Sequence, residues 1–124
     1  MNDEDAETNQ HGERTAHAHT YAAAGQLAYA PIIAWLRTSA LKQHLGQLGD
    51  ADLAELVRLM PELLSERPSL APATPATETW QRLRLFEALA RAVLADRQPL
   101  LLVLNDLQWC DQETLDWLHF LLRY

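Results

Sequence analysis

The stretch PLLLVLNDLQWCD, residues 99–111, constrains the fold of this chain more than any other. Five consecutive apolar residues, 100–104, follow a proline and lead into an Asn-Asp pair. The run is too short for a helix and shows no alternation, which is how a strand buried on both faces of a parallel sheet reads. Pro99 also opposes helix through the residue before it. Parallel strands need a crossover connection, almost always right-handed, so this run predicts an α/β layer fold.

The remaining elements fit that class. "TAHAHTY" from Thr15 alternates with a period of two, predicting a short strand with His17 and His19 on one face. Pro31 opens "PIIAWLRTSALKQHL", where Ile32, Ile33, Leu36 and Ala40 recur at helical spacing until Gly46 and Gly49 interrupt. Asp50 is a candidate cap for a second helix with Leu53, Leu56, Val57 and Met60 on one stripe and a stop at Pro61. "ERPSLAPATPAT" carries three prolines and no periodicity, a surface loop. The clearest helix is "ETWQRLRLFEALARAVLADRQ", with Trp80, Leu83, Phe86, Ala90, Val93 and Leu94 predicted on its buried face and Arg82, Arg84 and Arg91 on a solvated one. A last helix follows Asp111 as its cap, with Leu115, Leu118 and Leu122 along one side. Residues 1–14 are polar and aperiodic, a flexible lead-in expected before a single unit over 15–124.

Composition narrows the function. A net charge of −7 with no Lys/Arg cluster argues against direct binding to nucleic acid, which requires counter-charge to phosphates. One cysteine, Cys110, excludes an internal disulfide and fits a reducing compartment, so a cytoplasmic location is expected. Nothing in the chain is apolar for long enough to span a bilayer. His17 and His19, with His11 nearby, lack a carboxylate or cysteine at a spacing that completes a metal set. No Lys, Arg or His stands next to Cys110 in sequence to depress its pKa, so a packed or idle thiol is expected.

Ligands of open α/β sheets bind at the carboxyl ends of strands, and Asn105 and Asp106 lie where the apolar run ends. An apolar strand ending in acidic residues is the pattern of a Walker B element, in which a rigid strand holds a carboxylate against Mg²⁺ and nucleotide phosphates. The ordinary alternative is a strand-end turn, where both residue types are common.

The segment "RLRLFEALARAVLADRQPLLLVLNDLQWCDQETLDWLHFLLR" resembles the Walker B region of AAA-type, origin-recognition-like and STAND-related P-loop ATPase domains. Such domains occur in large bacterial signalling proteins, including LuxR-type regulators and multi-domain cyclases. "YAAAGQLAYAPIIAWLR" resembles the segment after the second strand of the same domains, and the likeness runs from about Thr15 to Tyr124. It implies a partial P-loop NTPase-like parallel sheet of about two strands with several helices, and ATP and Mg²⁺ as cofactors. By the same resemblance Asn105 and Asp106 stand at the metal and cofactor, and Asp106 is the residue linked to polarising the attacking water. Trp109 and Asp111 are expected to place the loop, as a core aromatic and a helix cap.

Two departures limit what the resemblance implies. Asn105 stands where the family has its leading Asp; either the amide weakens the site or Asp106 compensates for part of the lost charge. The chain also has a single lysine, Lys42, with no glycine pattern before it, so no G-x-x-x-x-G-K-[ST] phosphate loop is present in these residues. The expectation is an incomplete ATPase domain, a truncated product or one part of a split one, unable to bind or hydrolyse ATP alone. Its partner would be a chain supplying the phosphate loop, or another copy, because without the phosphate-loop strand the apolar edge at 100–104 is open. The alternative is a non-catalytic interaction module that uses that strand edge or its amphipathic helices.

Overall fold

In the computed structural model, residues 14–19, 28–70, 77–95, 100–105 and 110–124 are described. Two strands, β1 (Arg14–His19) and β2 (Leu100–Asn105), pair in parallel, in register from Arg14 opposite Leu100 to His19 opposite Asn105. This is the helix-rich α/β architecture read from the sequence. In β1 the alternation decides the faces: Ala16 and Ala18 are buried, while Thr15 and His17, which alternate with them, are half-buried. Register places Leu102 and Leu104 beside those alanines, and with Leu100 they pack against the hydrophobic core. Burial of β2 on both faces, as the unbroken apolar run predicts, is not found. Leu101 is 53% exposed, because the core lies against one face of a sheet that has two strands among the described residues.

Helix α1 (Ala30–Leu36) begins with Pro31 in its first turn, where a missing N–H costs nothing. The single helix expected from the spacing is broken at Thr38, whose backbone is extended and whose hydroxyl donates to the Trp35 carbonyl at 2.6 Å. A hydroxyl that competes for backbone groups favours such a break. The chain restarts as α2 (Ser39–Lys42) and a 3₁₀ turn at Leu45–Gln47, yet Ile32, Trp35, Leu36, Ala40, Leu41 and Leu45 all remain buried.

Helix α3 (Asp50–Leu56) takes Gly49 as its cap, so Asp50 lies in the first turn with Asp52, where negative charge suits the helix dipole. Leu53, Leu56 and Met60 are buried as their spacing predicts, but the helix ends one turn before Pro61. The short α4 (Leu63–Glu66) follows.

Helix α5 (Glu78–Val93), capped by Thr77, buries Phe86, Ala88, Leu89, Ala90, Ala92 and Val93. The predicted stripe is therefore only half right: Trp80 is 60% exposed, and Leu83 and Leu94 are exposed as well. The arginines account for the rotation. Arg91 binds Asp52 of α3 through two hydrogen bonds of 2.7 and 2.8 Å, and Arg84 approaches Glu55 at 3.9 Å. Arg82 bonds Glu113 and Asp116 at 3.1 and 2.6 Å with its guanidinium 4.7 Å from the Phe86 ring centre. The face expected to be merely solvated instead staples α5 to its neighbours.

Helix α6 (Gln112–Arg123) starts at Asp111 as predicted, but Thr114 and Trp117 are its fully buried residues and Leu122 is 84% exposed. Trp117, whose indole N–H donates to the Phe86 carbonyl at 3.1 Å, turns the helix toward α5.

Candidate functional site

The sheet presents its carboxyl end at His19 and Asn105, which are opposite one another in the register. Asn105 is exposed at the last position of β2. Two residues before it, the Val103 carbonyl accepts from the Trp35 indole N–H at 2.9 Å, so a buried aromatic of α1 pins β2 just short of its end. Asp106 and Trp109 fall among residues 106–109, outside the described residues.

The chain is described again at Cys110, where burial chiefly, and then the adjacent Asp111 carboxylate, push the thiol pKa up. That half-buried setting is the opposite of the one that activates a thiol. Asp111 is buried and receives three hydrogen bonds: from Thr114 N–H at 3.0 Å, from the Thr114 hydroxyl at 2.7 Å and from Tyr29 N–H at 3.0 Å. The first two make it the cap of α6; the third crosses to the residue that precedes α1.

Tyr29 is held with φ of 65°, the one non-glycine residue at positive φ among those described. Its hydroxyl donates to Glu113 at 3.0 Å and its ring meets Phe86 edge-on at 6.4 Å. Burial, then the Glu113 carboxylate, push its phenol pKa up to about 12. Tyr29, Trp35, Glu113 and Thr114 were not legible as site neighbours in the sequence. Only Asp111, of a residue type favoured at helix N-caps, carried a local sign, that of a capped helix start.

The structure thus brings together the end of β2, the start of α6 and the start of α1. Among the described residues no three His, Cys, Asp or Glu side chains are grouped to hold a metal ion. For Mg²⁺, which takes six oxygens in octahedral array, the described strand end offers one amide side chain, Asn105. These residues alone do not fit a magnesium nucleotide.

The family model for the AAA ATPase domain matches residues 6–124. The chain belongs to the AAA ATPase domain family. No curated protein and no solved structure matches it. Open α/β sheets bind ligands at the carboxyl ends of their strands, and here the paired strands finish together at His19 and Asn105. No helix among the described residues is long and apolar enough to cross a membrane.

Proposed function

We propose that this AAA ATPase domain contributes the Walker B side of a nucleotide site and does not hold or hydrolyse ATP without a phosphate loop from outside these 124 residues. One observation carries the reading: within a chain matched to the family over residues 6–124, Asn105 ends a strand whose parallel neighbour finishes at the same level. On this reading Asn105 and Asp106 are the residues that would meet Mg²⁺ and nucleotide once a phosphate loop is supplied, and Asp106 is the one that would help activate water. The parent activity is ATP-dependent signalling or transcription regulation, of the kind found in large bacterial regulators, in the cytoplasm.

The test is titration calorimetry of Mg²⁺-ATP into the purified chain and into Asp106→Ala. The expected result is no binding heat from either. Micromolar binding that Asp106→Ala abolishes would show that these residues build a phosphate site of their own and would sink the proposal. A second reading, an interaction module that binds its partner through the strand edge, draws on the exposure of Leu101 in an uncharged strand.

A further inference from the structure

Tyr29 and the first turn of α6 are 82 residues apart in sequence at their closest tie, yet they meet at two points. The Tyr29 backbone N–H donates to Asp111 Oδ2, and its hydroxyl donates to Glu113 Oε2, both at 3.0 Å. A tyrosine in the left-handed region is strained and persists only where its surroundings over-determine it. Here the surroundings are the same first turn of α6: the carboxylate that caps the helix also receives the strained residue's N–H, with Oδ2 shared between Tyr29 and Thr114. Glu113 is in turn held by Arg82 of α5, whose second carboxylate partner is Asp116.

We propose that Asp111 and Tyr29 form a two-point latch that couples the start of α1, downstream of β1, to the start of α6, downstream of β2. Asp111 is a positioning residue in this arrangement, and Tyr29 is the strained member that is released when the latch opens. Either helix start can shift only by breaking both ties or by carrying the other with it. The place of the latch beside a nucleotide site rests on the function proposed above; the latch itself does not, and its test uses no nucleotide.

The test separates the cap from the latch. Asp111→Ser keeps an oxygen able to cap α6 but is too short to serve Tyr29 as well. Asp111→Asn keeps an acceptor for both N–H groups and is the conservative rescue. Amide hydrogen exchange is read at Tyr29 and along the first turns of α6, and the tyrosine absorbance is titrated with alkali, with Tyr29→Phe identifying the Tyr29 component.

In Asp111→Ser, exchange at Tyr29 should rise about tenfold, the scale of one lost buried hydrogen bond, while α6 stays within about twofold. The Tyr29 titration should fall from about 12 toward its ordinary 10.0 as the ring loses burial and the hydroxyl leaves Glu113. Asp111→Asn should restore both readings. Tyr29→Phe should by itself speed exchange at residue 29 several-fold, because one tie supports the other. Unchanged exchange and titration at Tyr29 in Asp111→Ser would overturn the latch and leave Asp111 a helix cap alone. Should Asp111→Ser fail to fold, an unchanged residue-29 amide in Tyr29→Phe overturns it equally.

Discussion

Replacing Trp35 with Phe tests whether the buried indole or the strand's own pairing holds β2 in place. Trp35 is 1% exposed and its N–H donates to the Val103 carbonyl at 2.9 Å, two residues before Asn105. The substitution removes that hydrogen bond, about 0.5–1.5 kcal/mol net. It also empties the space of the smaller indole ring, roughly two methylene-sized groups at about 0.8 kcal/mol each. The sum is about 2–3 kcal/mol, a large share of the margin of a domain this size. Trp80→Phe is the matched control: the same chemical change at a side chain 60% exposed should cost less than about 0.5 kcal/mol. Urea unfolding followed by far-ultraviolet circular dichroism gives both values without relying on indole fluorescence, and the urea dependence should keep its slope. Losses for Trp35→Phe below about 1 kcal/mol, or equal to those for Trp80→Phe, would refute the view that α1 pins β2 through this contact.

Three further outcomes follow from the geometry. The Tyr29 phenol, raised from 10.0 to about 12, binds its proton more tightly folded than unfolded, so its contribution is complete below pH 10 and is lost as pH rises from 10 to about 12; the alkaline limb of a stability-against-pH curve should flatten in Tyr29→Phe. Glu55 is buried between Arg58 and Arg84, each at 3.9 Å, and its Oε1 has no hydrogen-bond partner, so the pair geometry does little to offset desolvation. Because the Arg58 and Arg84 side chains are a third or more exposed and can be rehydrated when Glu55 is removed, Glu55→Met should change stability by no more than about 1 kcal/mol in either direction, and a loss beyond about 3 kcal/mol in thermal unfolding, the cost of stranding a buried charge, would contradict that account. Leu101→Lys places a charge on the exposed face of β2 and should delay heat-induced light scattering without lowering the melting temperature; unchanged scattering would clear this strand of blame for association.

What the sequence determined by itself is what depends on a few neighbouring residues. Alternation in "TAHAH", the unbroken run at 100–104, the capping of α6 by Asp111 and the long period of α5 are each written within a turn or a strand, and the structure contains them all. Asn105 at the strand end was legible for the same reason. Tertiary structure alone decided which arc of each amphipathic helix is buried. The apolar arcs of α5 and α6 are wider than one contact, so Trp117 on Phe86 and the arginines on Asp52, Glu113 and Asp116 chose the faces, leaving Trp80 and Leu122 outside. It also decided that one cap carboxylate serves Tyr29 from 82 residues away, because a hydrogen bond between distant segments has no local spacing to read and exists only once the layers have packed.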